Sequence, residues 1–267
     1  MTENKKRNLY YYLFDWANSP FSTIVITFVF SSYFTNTIAQ NKIIGTSMWG
    51  WSIALSGIVI ALLCPYLGYM ADKNKNLSRK LLIISTFTVV ICSFSLWFAE
   101  ENINIFLFLG IIIIANIFFE IGQAFYNSQL INFRGGEKYG EFSGKAWACG
   151  YLGGIFCLII ILFFFLIPDF SIFKLDQEDY ENIRICGPLV GLWFLIFSFP
   201  FLLNCKNDKS PSNNSYIFSS FLKNLKILSK DRNKLTFLIS RMLYTDGLIT
   251  LFSFGGIYAT GTFDFNF

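Results

Sequence analysis

The chain has 267 residues, of which 54% are apolar and only 14% charged, with a mean hydropathy of +0.50 and a formal net charge of +4. A soluble domain carries roughly 25% charged residues to build its solvated surface, so this composition excludes a soluble enzyme, a disordered tail and a secreted disulfide scaffold. The absence of His also removes HExxH zinc sites, Ser-His relays and His proton shuttles.

The N-terminal basic cluster Lys5-Lys6-Arg7 precedes a long apolar run with no small-residue cleavage site. It therefore reads as a retained first helix and not as a signal peptide. Because a bilayer core takes about 20 apolar residues per helix, the expected spans are Ala17–Ala39, Met48–Met70, Leu81–Ala99, Ile103–Phe125, Ala146–Ile167, Ile185–Leu203 and Leu235–Thr260. The fold class expected is all-α and integral to a membrane.

The connections alternate in charge. Lys5, Lys6, Arg7, Lys73, Lys75, Arg79, Lys80, Arg134, Lys138, Lys145, Lys206, Lys209, Lys223, Lys226, Lys230, Arg232 and Lys234 fall on one side, and Lys42, Lys174 and Arg184 on the other. Basic loops mark the cytoplasmic face, which places the N-terminus inside, in a bacterial plasma membrane. The acidic run Asp169, Asp176, Glu178, Asp179 and Glu181 reads as a solvated loop of the opposite face. Residues 1–204 thus form a six-helix bundle, 205–234 a cytoplasmic connection and 235–267 a seventh span. The connection starts as a flexible linker by composition. It continues with Phe218, Phe221, Leu222, Leu225 and Leu228 at helical spacing between lysines, the pattern of an amphipathic helix lying on a membrane surface.

Ionisable residues inside spans are expensive, at about 2.5–3.5 kcal/mol near the bilayer centre. Asp15, beside Asn18, reads either as an interfacial helix-end residue or as a gate. Glu120 either snorkels to the interface or, with Asn116 and Asn127, lines a polar cavity. Asp246 sits roughly 16 Å along its helix from Leu235, which makes it the best single candidate for a substrate or proton site. Ala146, Gly150 and Gly154 recur every four residues, a face that lets helix backbones approach closely. The six cysteines show no CxxC pairing and read as small hydrophobes. No metal, cofactor, nucleic-acid site or catalytic residue is expected.

Tyr12-Leu-Phe-Asp15-Trp16-Ala17-Asn18-Ser19-Pro20 resembles the first-helix signature of the vacuole effluxer-like branch of the major facilitator superfamily. Phe125-Tyr126-Asn127 with Gly140-x-x-Ser143-Gly144-x-x-Trp147-Ala148-x-Gly150-Tyr151-x-Gly153-Gly154 resembles its fourth-to-fifth-helix stretch. Arg241-Met-Leu-Tyr244-Thr-Asp246-Gly247 with Phe254-Gly255-Gly256-Ile257-Tyr258 resembles its seventh helix. Gly68-x-x-x-Asp72-Lys73 before Arg79-Lys80 is similar to the superfamily's loop motif between helices two and three. It departs from the pattern at Lys75 and in the displacement of Arg79 and Lys80. Another departure is Leu130-Ile131, where the branch has Leu-Pro.

The resemblance implies a twelve-helix carrier of two six-helix bundles working by alternating access. Of this fold the chain supplies the N-terminal bundle and the first helix of the second. It further implies a small solute, with amino acids the candidate class, a cytoplasmic gate at Gly68, Asp72, Lys73, Arg79 and Lys80, and protons as a candidate coupling ion. The expectation is of a fragment whose partner is the absent C-terminal bundle. The alternative is a non-transporting membrane remnant or split subunit with an assembly role.

Overall fold

The computed structural model describes residues 3–74, 76–130, 139–167, 175–205 and 231–262. Among them no strand is present, and seven helices are long and apolar enough to cross a bilayer. The first, α1, is a continuous rod made of Glu3–Pro20, a π-helical stretch Phe21–Phe28, the α-helical Val29–Tyr33 and a second π-helical stretch Phe34–Ile38. The others are α2 (Lys42–Lys73), α3 (Leu77–Ser95), α4 (Ile105–Ser128), α5 (Tyr139–Ile161), α6 (Cys186–Asn204) and α7 (Arg232–Thr262).

Each expected span has its helix, but α1 begins at Glu3, well before Ala17. The reason is packing. Tyr11 and Phe14 are both buried, in an aromatic cluster with Tyr126 of α4, Phe142 of α5 and Phe201 of α6. Burial of these rings outweighs the polar character of the N-terminal sequence. Helix starts follow local chemistry. Asn41 accepts a hydrogen bond from the Ile44 N–H at 2.8 Å, and Asn104 accepts from Phe106 at 2.9 Å, the side-chain capping that satisfies donors left open in a first turn. Asp231 does the same for the Lys234 N–H, and the Lys234 ammonium holds its carboxyl below the usual carboxylate range. The amphipathic stretch expected around Phe218–Leu228 lies outside the described residues.

Helix α1 is the hub. It packs against α5 and α6, while α3 packs against α4 and α6, and α2 against α4. Large side chains such as Ile58, Leu62, Leu107, Leu152 and Ile196 are left exposed on the outer faces. In water such continuous apolar surface is a liability; in hydrocarbon it is the solvated surface. At the end away from the basic loops, the buried Arg184 closes the bundle. It donates to the Trp97 carbonyl at 2.7 Å, lies over the Trp97 ring and pairs with Glu100.

The α1–α5 seam is packed backbone against backbone. A Cβ on Gly150 would sit 2.7 Å from Ser19 Oγ, one on Gly153 would sit 2.5 Å from the Trp16 carbonyl, and one on Gly154 would sit 2.8 Å from Thr23 Oγ1. Three glycines therefore put one helix backbone against another. Gly144, on the same helix, meets nothing within 4 Å. Gly153→Ala is expected to destabilise the protein by about 1–3 kcal/mol, the usual cost of overpacking, whereas Gly144→Ala is expected to be neutral. Thermal unfolding of the two variants in detergent checks this; equal midpoints would remove the seam as a stability determinant.

Candidate functional site

The polar centre of the bundle is built outward from Pro20. Proline lacks an N–H, so the Trp16 carbonyl one turn earlier loses its helical donor. The Trp193 indole N–H of α6 supplies one instead, at 3.2 Å. Beyond Pro20 the helix continues in π register, and the Thr27 hydroxyl donates to the Ser22 carbonyl five residues back, at 2.9 Å. A carbonyl unsatisfied in hydrocarbon costs several kcal/mol; both devices avoid that cost.

Asp15 lies on this stretch of α1 and is buried at 5% exposure. The space beside it is set by Gly150, whose Cβ would come 3.3 Å from the carboxyl carbon. Its Oδ2 has no hydrogen-bond partner among the described residues. Asn18, one turn on, is buried and its Oδ1 accepts from Gln123 Nε2 of α4 at 3.4 Å. Tyr126 of α4 donates its hydroxyl proton to the Tyr11 carbonyl at 3.0 Å and stacks on Tyr11 and Phe14. Asp15 is thereby walled in by aromatic rings on the side of the N-terminus. A void of about 10 Å³ next to Asn18, Ser85 and Gln123 is too small for an organic solute.

The remaining expected residues lie elsewhere. Glu120 is exposed on α4, near Cys64 of α2. Asn116, a turn away from it, donates to Ser56 of α2 at 2.7 Å. Asn127 is exposed near the end of α4. Asp246 is exposed on α7, where every residue from Arg232 to Gly247 is exposed. Asp15 and Asn18 thus lie one turn apart in the buried centre of the bundle, and Glu120, Asn127 and Asp246 lie outside that cluster. Gln123 and Ser85 are not among the expected site residues, and Tyr126 is expected only as part of the Phe125-Tyr126-Asn127 signature. The available signal was Gln123, a polar residue one helical turn after Glu120 in an otherwise apolar run.

The residues of the expected cytoplasmic gate are described only in part. A Cβ on Gly68 meets nothing within 4 Å, so no helix approaches closely there. Asp72 and Lys73 end α2, and their side chains lie outside the described ones. Arg79 reaches the carbonyls of Leu202 and Leu203 at 3.4 and 3.5 Å, at the C-terminal end of α6, where free carbonyls and the helix dipole favour a cation. Lys80 is exposed. Ala146, Gly150 and Gly154 are buried on the face of α5 that meets α1.

A family model described as "Vacuole effluxer Atg22 like" matches residues 137–266. The chain is 23% identical over 255 residues to a protein of Bacillus subtilis (strain 168) described as the uncharacterized MFS-type transporter YxiO, an alignment covering 93% of this chain and 59% of that protein. It is 25% identical over 253 residues to an uncharacterized protein of Aquifex aeolicus (strain VF5), covering 94% of this chain and 57% of the relative. The chain therefore spans less than three fifths of the length of these relatives.

Trp193→Phe keeps a ring of similar shape but removes the donor to the Trp16 carbonyl. A loss of roughly 1 kcal/mol is expected, the net worth of a buried hydrogen bond, measured as a lower unfolding midpoint. An unchanged midpoint would mean that the carbonyl freed by Pro20 needs no partner.

Proposed function

We propose that this chain, similar over residues 137–266 to the Atg22-like vacuole effluxers and over most of its length to an MFS-type transporter, is a major facilitator carrier that moves a small solute across the bilayer by alternating access, in concert with a second helical bundle. Zwitterions such as amino acids are the solute class proposed, and protons the coupling ion. The observation that supports the reading best is Asp15. A carboxyl held inside a membrane bundle, with one oxygen left without a protein partner, is costly for stability alone. It makes chemical sense as a group that takes up and gives up a proton as the bundles move. Asp246, the exposed carboxyl on α7, is proposed to face the solute pathway, with Glu120 and Asn127 on the bundle side. Asn18, together with Gln123, is proposed to orient Asp15.

The test is solute accumulation in proteoliposomes holding the full-length protein under an imposed pH gradient, using radiolabelled amino acids. Asp15→Asn is expected to lower gradient-driven accumulation at least tenfold while solute counterflow persists. Asp246→Asn is expected to lower both. Accumulation unchanged in Asp15→Asn would overturn the proton role. A wild-type protein inert to every solute in the screen would favour an assembly role in place of transport.

The basic loops support an orientation with the N-terminus and the α6–α7 connection in the cytoplasm. In intact cells, Asp176→Cys is then expected to react with a membrane-impermeant maleimide and Asn207→Cys to react only after lysis. Labelling of both positions from one compartment would refute the topology.

A further inference from the structure

Three buried polar side chains converge on one small void with hydrogen-bonding capacity to spare. The void of about 10 Å³ is lined by Asn18 of α1, Ser85 of α3 and Gln123 of α4, with Phe194 of α6 on its wall. Helix α1 packs on α6, and α3 packs on α4 and α6, so the void lies among these four helices in the interior of the bundle. Asn18 and Ser85 are each only 1% exposed. The Asn18 Oδ1 accepts from Gln123 Nε2 at 3.4 Å. That bond leaves the Asn18 Nδ2 donor and the Gln123 Oε1 acceptor without a hydrogen-bond partner among the described residues, and the Ser85 hydroxyl has none either. The Asn18 amide also bears on the Asp15 carboxyl one turn earlier. Its nitrogen carries two N–H groups, enough to face Asp15 and the void at once.

We infer that Asn18, Gln123 and Ser85 form a built site for one water molecule, which ties α1 to α3 and α4 one turn from Asp15. The size fits, because a void of this volume takes about one water and nothing larger. The chemistry fits as well. A water accepts from Asn18 Nδ2, donates to Gln123 Oε1 and bonds to the Ser85 hydroxyl, which makes the three hydrogen bonds usual for a buried water. A metal cation does not suit the same groups. No charged side chain lines the void, and an amide nitrogen would face the ion in place of the oxygens it requires. A dry void would leave a donor, an acceptor and a hydroxyl unpaired in a low-dielectric interior, which is costly. The water also gives the Asn18 amide a second support beside its long bond to Gln123, and so fixes the group that faces Asp15. The inference goes beyond the transport reading and does not rest on it.

Hydroxyl radicals made in place by X-ray radiolysis oxidise rings beside bound water, whereas radicals made by laser photolysis of peroxide reach only rings open to bulk solvent. The full-length protein in lipid nanodiscs is exposed to each, and oxidation is read residue by residue by tandem mass spectrometry. Phe14 and Phe119 line the void, while Phe30 and Phe108 are fully buried and do not line it. Under X-rays, Phe14 and Phe119 are expected to oxidise about ten times faster than Phe30 and Phe108, as neighbours of a buried water. Under photolysis all four are expected to stay unlabelled. Asn18→Leu, Gln123→Leu and Ser85→Ala together remove the polar partners and are expected to bring Phe14 and Phe119 down to the rate of Phe30. Ser85→Val, which fills the site with two methyl groups, is expected to do the same. Equal X-ray rates at the four rings, photolytic labelling of Phe14 or Phe119, or variant rates equal to wild type would each overturn the inference. Where the triple variant does not fold, Ser85→Val and the contrast among the four wild-type rings decide.

Discussion

Backbone contact between α1 and α5 is the constraint on which the rest of the bundle depends. Gly150, Gly153 and Gly154 bring α5 onto the Asp15–Thr23 stretch of α1. Lipid tails are as apolar as the side chains, so hydrophobicity does not drive helices together inside a bilayer; close van der Waals packing does. Short interhelical distance follows from the absence of side chains, and the position of Asp15 follows from the short distance. With a larger residue at 150, α5 could not lie against the Asp15 carboxyl carbon.

The same stretch of α1 gives up helical regularity. Pro20 breaks the ladder, Trp193 of α6 repairs it at Trp16, and the π-helical turn carries the chain on to Thr27. Each departure is satisfied by a donor from a neighbouring helix or side chain, as hydrocarbon requires. Helix α1 therefore presents a polar cluster toward α4, and its Trp16 and Thr27 backbone comes up against the glycines of α5 and α7.

The sequence was sufficient for the helices and their order, because runs such as Ile105–Ile117 and Leu158–Leu166 admit no other reading than burial in lipid or core. It was insufficient for which faces meet. Glu120, Asn127 and Asp246 share the residue types of a pathway, yet nothing in one chain's periodicity says that only Asp15 and Asn18 face each other's neighbourhood in the bundle. Tyr126 stands in a signature, but what it does there is visible only from its hydroxyl on the Tyr11 carbonyl. Gly68 makes the complementary point. Glycine in a motif suggests close approach, but here its surroundings are open, whereas Gly153 and Gly256, with no motif-free signal of their own, bear the tightest contacts.

Two glycine contacts thus flank α1, and their extents differ. The seam with α5 runs from Ala146 to Cys157, with buried residues on both helices throughout. Separating it would expose a carboxyl and two helix backbones to lipid at once. The contact with α7 buries Ser253, Gly256 and Thr260 and leaves the greater part of that helix in the open. Since the free energy of separating packed surfaces grows with the number of atoms drawn apart, the first holds the bundle as one body while the second yields at low cost. The difference comes from what flanks each run of small residues: Phe142, Cys157 and Ile161 are also buried along α5, whereas α7 is exposed throughout Arg232 to Gly247.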